Sequence, residues 1–374
     1  MFKKLFLFLA LIISLSSIAQ NPKVYLSHDF KKYGLKQGNV PEKWEDGMQT
    51  TGEKGTFEWW YFDAHLDDGT IVVIVFATKP LSKINKNLSP FISINIDNPN
   101  GTKIQKFYFA KKQEFKASDT ICNVIIGNNY FRGDLKNYEI YFKDDDLEIY
   151  VKAQRLAQSW RPATGHLIFG DQGKEFAWLV PIPKGKTEIT YTYKNKTYKS
   201  QGFCYHDHNF GNVNFAFIIN HWYWSRAEIG PYTIISAEII SNQKYNNVAS
   251  QVFYISKQGK TLADDGEKMK LYRTYGKMDK TASKPINDEL KFIYENKTIR
   301  YEYTLKRKQT IVATKLIKGK IKQTLTKLLT GFDGTYYRFT GDANLQVYVN
   351  GNKTEEYTTS KAVWELMYFR LPFK

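Results

Sequence analysis

The sequence predicts an all-β protein whose antiparallel strands form barrels or bent sheets. Tyr and Phe are common, with 26 and 25 copies, whereas Pro occurs only 11 times, and β-branched residues are frequent, which is a strand-forming composition. Short strand patterns end at turn signals; for example, residues 58–66 end at Asp67-Asp68-Gly69, and a strand resumes at Thr70. Because no helical pattern separates such strands, meanders or barrels are favoured over βαβ units.

The same pattern starts again near His221, which predicts two β domains in tandem. Residues 221–228 are as rich in aromatic side chains as residues 58–66, and they also lead into an apolar strand. A chain of 374 residues is long enough for two hydrophobic cores. The predicted organisation is a signal peptide at 1–19, an N-terminal extension at 20–50, an N-terminal domain at 51–212 and a C-terminal domain at 213–374.

One segment, near residues 314–330, departs from the strand pattern and predicts a short amphipathic helix. Gly331 follows it as a plausible stop signal. Two interpretations stay open, a helix packed on a barrel and a helix lying on a membrane surface. The apolar residues that recur at helical spacing are Leu316, Ile317, Ile321, Leu325, Leu328 and Leu329.

Residues 1–19 have the features of a secretory signal peptide. Two lysines precede an apolar run that ends at Leu15, and small residues stand at positions 17 and 19, before a cleavage site at Gln20. The run is shorter than the ~20 residues that a spanning helix needs, so we expect an exported protein, either periplasmic or secreted. The two cysteines, Cys122 and Cys204, are too few for a disulfide framework, and whether they pair is left open.

The formal net charge of +17 is spread along the chain. Lysines alternate with apolar residues in segments such as 103–109, as expected for the solvated face of strands or for the protection of edge strands. An anionic membrane surface is a second interpretation of this charge. Because export is predicted and no nucleic-acid-binding motif is present, we expect no nucleic-acid partner.

The densest group of ionisable residues lies at 202–212. In an extended strand the side chains alternate, so Tyr205 and Asp207 share one face. A carboxyl group in an apolar, aromatic pocket has a raised pKa, keeps its proton and can protonate a carbon–carbon double bond. Aromatic rings can stabilise the resulting carbocation. This face therefore predicts acid chemistry that needs no cofactor.

The opposite face of the same strand carries Cys204, His206 and His208, which suits a metal ion. Two histidines at i and i+2 can converge on one ion, with Cys204 or His221 as the third ligand. A third interpretation, which applies to both faces, is a polar corner that only satisfies backbone groups at a domain junction. We favour the acid or pocket role and expect that no metal is required.

Two motifs resemble the signature stretches of the lipocalin-like carotenoid 1,2-hydratase (hydroxyneurosporene synthase) family. They are Glu58-Trp59-Trp60-Tyr61 and Tyr205-His206-Asp207-His208-Asn209-Phe210-Gly211, and the segments 176–181 and 221–226 also resemble family segments. The resemblance covers about Pro41 to Phe369 and implies two lipocalin-like β domains with the signature residues at an inner pocket. The family includes hydratases of acyclic carotenoids, and its distant relatives include pericyclases that fold polyenes.

By position, the resemblance implies that Asp207 is the proton donor, with Tyr205 beside it and Trp178 as an aromatic wall. His206 and His208 are implied as further catalytic residues. The sequence departs from the family pattern at Phe210, where Trp is usual, and at Phe176, where His is expected. The residues implied to contact the ligand are Glu58, Trp59, Trp60, Tyr61, Asn209, His221, Trp222, Trp224 and Arg226.

Two functions follow as hypotheses. The first is a cofactor-free lyase or isomerase that adds water to a double bond of a polyene or isoprenoid lipid, or moves that bond, with Asp207 as the proton donor. The second is an exported lipid or pigment carrier that uses the same pocket without turnover. In both, the partner is a hydrophobic small molecule.

Overall fold

The computed structural model describes residues 23–317 and 332–370, together with Gly319 and Gln323 between these ranges. The predicted signal peptide and most of the predicted helix near 314–330 lie outside the described residues. Thr314 and Lys315, at the start of that segment, are the end of a strand. The described residues form two antiparallel sheets and few helices, which confirms the predicted all-β fold class.

The first sheet has thirteen strands. They are β1 (Val24–Leu26), β2 (Phe57–Leu66), β3 (Ile71–Ala77), β4 (Phe91–Asp97), β5 (Lys103–Phe109), β6 (Phe115–Ala117), β7 (Cys122–Ile126), β8 (Asn129–Gly133), β9 (Asn137–Lys143), β10 (Leu147–Arg155), β11 (His166–Phe169), β12 (Lys174–Tyr193) and β13 (Lys196–Gly211). The strand order is β5-β4-β3-β2-β13-β12-β10-β9-β8-β7-β6, and β11 pairs with β12 and β1. Strand β13 therefore lies in the middle of the sheet, between β2 and β12.

The second sheet has nine strands, in the order β17-β16-β15-β14-β22-β21-β20-β19-β18. They are β14 (Ile219–Ile229), β15 (Tyr232–Ser241), β16 (Ala249–Lys257), β17 (Lys260–Ala263), β18 (Met269–Met278), β19 (Pro285–Glu295), β20 (Ile299–Lys315), β21 (Thr335–Val349) and β22 (Asn352–Tyr368). The α-helix α1 (Phe215–Ile218) joins the two sheets. The predicted domain boundary after residue 212 falls in this connection, and the division into separately folding domains stays a prediction.

Short 3-10 helices occur at Lys43–Asp46, Leu81–Lys83, Lys112–Glu114, Gln243–Tyr245 and Gly266–Lys268. The first of these, Lys43–Asp46, places the Asp46 side chain in the interior of the first sheet, where it is 1% exposed. In the part of the chain that the structure describes, no helix combines the length and hydropathy required to span a bilayer.

Each sheet has its own apolar interior. The first interior includes Phe62, Ile74 and Phe131, and the second includes Phe292 and Leu345, all fully buried. Burying one such side chain contributes about 1.5–3 kcal/mol. A third group of apolar residues lies between the two sheets, where Phe215 of α1 packs against side chains from both.

Strand β2 shows how side-chain alternation builds both an interior and a surface between the sheets. Trp60 and Phe62 point into the first interior. Trp59 and Tyr61 point the other way and line a cavity together with residues of the second sheet. Because the period of a strand is two residues, adjacent tryptophans of one motif have separate environments.

Candidate active site

The two faces of β13 lie in different environments. Tyr205, Asp207 and Asn209 face the space between the sheets. His206 and His208 face the interior of the first sheet, where each is 0% exposed. The backbone pairing of β13 with β2 and β12 keeps the strand extended here, so the alternation predicted from the sequence is realised.

A cavity of about 190 Å³ lies between the two sheets. Aromatic side chains dominate its wall, and two carboxyl groups, Asp207 from β13 and Glu365 from β22, also face it. Its lining residues are Trp59, Tyr61, Phe176, Trp178, Asp207, Asn209, Phe215, Trp222, Trp224, Ala237, Ile239 and Glu365. An apolar cavity with a few polar groups is the usual form of a small-molecule site.

Three neutral donors hold the Asp207 carboxyl in place. The Tyr205 hydroxyl donates to Oδ2 over 2.9 Å, and Nε1 of Trp178 donates to the same oxygen over 3.2 Å. Nδ2 of Asn209 donates to Oδ1 over 2.7 Å. These contacts fix the orientation of the carboxyl, which is 9% exposed and faces the cavity.

Burial raises the pKa of Asp207 to about 7, although the hydrogen bond from Tyr205, the nearby His206 and the other two donors oppose this rise. The loss of hydration destabilises the carboxylate form by more than these hydrogen bonds stabilise it. At neutral pH a large fraction of Asp207 is therefore protonated. A protonated carboxyl at the wall of an apolar cavity can donate its proton to a bound molecule.

An ion pair between the sheets lies beside this acid. Nη2 of Arg226, on β14, is 2.5 Å from Oδ1 of Asp63, on β2, and both side chains are buried. The Arg226 guanidinium also lies over the ring of Tyr205, 5.2 Å from its centroid. Arg226 is not in the cavity wall itself, but it holds the two sheets together behind Tyr205.

The histidine face of β13 forms a separate polar cluster inside the first sheet. Nε2 of His208 lies 2.9 Å from Oε1 of Glu58, and its Nδ1 lies 3.4 Å from Oδ1 of Asp46. The ring of Trp60 stacks on His208 at 4.6 Å. Nδ1 of His206 lies 2.8 Å from the Tyr61 carbonyl oxygen. This cluster joins the segment before β2 to the middle of the sheet.

Among the described residues, His206 and His208 form no ligand group with either candidate third ligand, Cys204 or His221. Instead, potential ligand atoms of Asp46, Cys122 and His206 lie within 4.8 Å of one another. They already have protein partners, because Oδ2 of Asp46 accepts a hydrogen bond from the Tyr138 hydroxyl over 2.5 Å and lies 3.3 Å from Nε2 of His206. This group is therefore a buried hydrogen-bond cluster. Both cysteines are free and buried.

Not all of the predicted site residues lie at the cavity. Seven line it: Trp59, Tyr61, Trp178, Asp207, Asn209, Trp222 and Trp224. Tyr205 and Arg226 lie directly behind this wall. Glu58, Trp60, His206 and His208 do not line the cavity, because their side chains lie in the interior of the first sheet. His221 packs against Tyr368 and bonds to Asn220, outside the cavity wall.

The sequence interpretation missed several wall residues, of which Glu365 is the most consequential. It lies in the predicted C-terminal domain, outside both sequence motifs. Its side-chain direction follows from pairing with Trp224 and Arg338 on the neighbouring strands, and that register was not predictable. Phe176, noted as a departure from the family pattern, does line the cavity, as do Phe215, Ala237 and Ile239.

A family model described as Diels-Alderase-like matches residues 32–314, which include both sequence motifs and most of the cavity wall. The chain belongs to the Diels-Alderase-like family. The resemblance inferred from the motifs, to lipocalin-like proteins with pericyclase relatives, is thereby confirmed. Glu365 lies beyond the residues that the Diels-Alderase-like model matches. Among curated proteins, no sequence matches significantly.

Solved structures with a similar fold include CghA, with a TM-score of 0.60 at 13% identity over 90% of this chain and 98% of that chain. A protein described as AttH, from Nitrosomonas europaea, has a TM-score of 0.55 at 10% identity over 90% and 98% of the two chains. Kievitone hydratase from Nectria haematococca has a TM-score of 0.53 at 12% identity over 94% and 98%. At these identities the similarity concerns the fold.

Proposed function

We propose that this member of the Diels-Alderase-like family is a cofactor-free enzyme that binds a hydrophobic polyene or isoprenoid between its two sheets. Asp207 is the proton donor, and the reaction adds water to a carbon–carbon double bond or moves that bond. The single observation that carries the proposal is the Asp207 carboxyl, which faces an aromatic cavity with a pKa raised to about 7 by burial.

The aromatic wall supports this chemistry. Protonation of an alkene creates a carbocation, and an indole face attracts a cation with about 2 kcal/mol or more when the site is shielded from water. Trp59, Trp222 and Trp224 line the cavity from both sheets, and Trp178 stands next to the acid. A cation formed at Asp207 therefore has indole rings around it, and the apolar wall favours a hydrophobic substrate.

Two relatives point to reactions of small organic molecules. Kievitone hydratase is a hydratase by name, and CghA has been solved with Sch210972 at a TM-score of 0.58 to this chain. The family description favours a second candidate function, a pericyclic reaction of a polyene. In that reaction the Asp207 proton would bond to a substrate oxygen and polarise the reacting system without transferring to carbon.

Deuterium incorporation distinguishes these functions. The protein is incubated in D2O with acyclic polyenes (lycopene, squalene and farnesene), and the products are analysed by mass spectrometry. We expect deuterium on carbon and either addition of D2O or a shifted double bond. Asp207→Asn keeps the shape of the side chain and should lower the rate by about 10²–10⁴-fold. The matched control is Asp145→Asn, at an exposed position in a hairpin between β9 and β10.

Each alternative has its own outcome in this experiment. Cyclised product without deuterium on carbon would favour the pericyclic function. Retention of unchanged polyene, equal in the wild type and in Asp207→Asn, would favour the non-catalytic lipid or pigment carrier. A lower melting temperature of Asp207→Asn without any activity to lose would favour a structural polar corner.

The proposed setting is outside the cytoplasm, in the periplasm or secreted, with an anionic membrane surface as the source of the ligand. The signal-peptide pattern at 1–19 and the net charge of +17 support this setting. Intact-mass measurement on protein recovered from an exported fraction should give a chain that starts at or near Gln20. A chain that retains residues 1–19 would contradict export by this signal.

A further inference from the structure

A second carboxyl group, that of Glu365, faces the same cavity as Asp207. We propose that Glu365 is a catalytic residue, the proton acceptor that works opposite the donor Asp207, and that the two form an acid–base pair across the two sheets. This inference rests on the proposed function and adds to it the residue that completes the reaction.

The position of Glu365 supports this role. It lies on β22 of the second sheet, whereas Asp207 lies on β13 of the first, so the cavity has one carboxyl on each side. A cavity of about 190 Å³ is small, and a molecule that fills it contacts both walls. Trp224 is directly opposite Glu365 in the register of β14 and β22 and lines the cavity beside it.

The neighbours of Glu365 favour its carboxylate form. The Tyr336 hydroxyl donates to Oε1 over 2.6 Å. Arg338 is directly opposite Glu365 in the register of β21 and β22, and its buried Nε has no hydrogen-bond partner among the described residues. No further hydrogen bond to the Glu365 carboxyl occurs in the described part of the chain. Among these residues, its Oε2 has no hydrogen-bond donor.

The charges around the two carboxyls differ in kind. Burial raises the pKa of Glu365. The Arg338 guanidinium opposes this rise most strongly, followed by the Tyr336 hydrogen bond, while the negative charge of Asp63 adds to it. Asp207 has three neutral hydrogen-bond donors, and its pKa is raised to about 7. The nearby His206 also opposes the rise at Asp207, but the guanidinium opposite Glu365 is permanently charged and stabilises a carboxylate more than neutral donors do. We therefore assign Glu365 as the base of the pair and Asp207 as the acid.

The proton balance of the reaction is complete with these two groups. The O–H bond of Asp207 breaks, and the alkene π electrons form a C–H bond at one carbon, which leaves a cation at the other. In hydration, water forms the C–O bond and gives its proton to Glu365. In isomerisation, Glu365 removes a proton from the carbon next to the cation, and that electron pair forms the new double bond. Exchange with solvent then reprotonates Asp207 and deprotonates Glu365.

The test separates the two halves of the reaction with the same polyene probes, in D2O and in water enriched in oxygen-18. Glu365→Gln should still incorporate deuterium, because Asp207 can deliver a deuteron to the alkene and its carboxylate can then remove a protium from the same carbon, which restores the double bond. Formation of alcohol or shifted alkene should fall by about 10²–10⁴-fold in this variant. The matched control is Glu295→Gln, at the exposed end of β19. Oxygen-18 in the product distinguishes hydration from isomerisation.

Tyr336→Phe provides a second variant that keeps the ring and the carboxyl. Loss of the hydroxyl donor should raise the pKa of Glu365 and move the acidic limb of the rate profile to higher pH, a change that a purely structural role would not cause. Product formation by Glu365→Gln at the wild-type rate would overturn the role of Glu365 and leave that of Asp207 intact. Deuterium incorporation by Asp207→Asn at the wild-type rate, or none by the wild type, would overturn the proposed function itself.

Discussion

Nε2 of His208 lies 2.9 Å from Oε1 of Glu58, and this contact joins the two sequence motifs of the family inside the first sheet. Both side chains are fully buried and far less accessible than the acid on the opposite face of β13. The motifs therefore combine two tasks. One face of the strand holds the sheet together, and the other presents Asp207 to the cavity.

The rate of the proposed reaction should depend on the protonation of Asp207. Because the acid must carry its proton and its pKa is about 7, the rate should fall about tenfold per pH unit above that value. Initial rates with an acyclic polyene between about pH 5.5 and about pH 9 test this. A rate that rises through neutral pH would contradict the donor role.

Tyr205→Phe should move the alkaline limb of this profile to higher pH. The Tyr205 hydroxyl stabilises the Asp207 carboxylate, so its removal raises the pKa of the acid further. Trp178→Phe should shift the limb in the same direction. Tyr141→Phe, which loses only a hydrogen bond to Glu148 on the outside of the first sheet, is the control. An unchanged limb in both test variants would contradict the assignment of the limb to Asp207.

The stability of the protein should decrease at alkaline pH through His208. Burial lowers the pKa of His208, but hydrogen bonds to Asp46 and Glu58 outweigh this and raise it to about 9. The protonated form is therefore favoured by folding. This contribution, about 3 kcal/mol, is present below the unfolded pKa of about 6.5 and is lost as the pH rises through about 9.

Urea unfolding at a series of pH values measures this loss. His208→Gln should be less stable than the wild type at neutral pH, and the difference should shrink as the pH passes about 9. His28→Gln, at an exposed histidine, is the control and should follow the wild type. A constant difference between wild type and His208→Gln at all pH values would contradict a charged His208.

The ion pair between Asp63 and Arg226 should contribute strongly to the contact between the sheets. Arg226→Met leaves the buried Asp63 carboxylate without its cation, with the Tyr61 hydroxyl still donating to it, which should lower the free energy of unfolding by about 3–5 kcal/mol. The double variant with Asp63→Leu should recover most of this loss, because it removes the unpaired charge. Denaturant unfolding of the single and double variants measures both effects, and equal destabilisation of the two would contradict the explanation.

Side-chain alternation accounts for how much of the site was predictable. It correctly separated Tyr205 and Asp207 from His206 and His208 on β13. The same rule, applied to residues 58–61, would have divided that motif, since Trp59 and Tyr61 face the cavity while Glu58 and Trp60 do not. The family resemblance implied that all four residues contact the ligand. A strand, however, points successive side chains to opposite faces, so only two of the four can do so.

Contacts between distant parts of the chain account for what was not predictable. Asp46 comes from the 3-10 helix before the first motif and contacts the second motif, whereas Glu365 comes from a strand far beyond both motifs. Only the packing of the chain and the register of the sheets bring them to their sites. Alternation assigns a residue to a face of its own strand, but it does not say what lies opposite that face. Strand content, turns and the pairing of neighbouring hairpins depend on local patterns and were therefore accessible from the sequence.

Because the cavity has one wall on each sheet, a bound ligand should stabilise the contact between the two sheets. A ligand that contacts both walls binds only when the halves are docked, so by mass action it stabilises the docked form by about 2.7 kcal/mol at a hundredfold excess over its Kd. Ligand binding and the docking of the two sheets are thus thermodynamically coupled. The melting temperature of the protein should therefore rise with the concentration of free ligand.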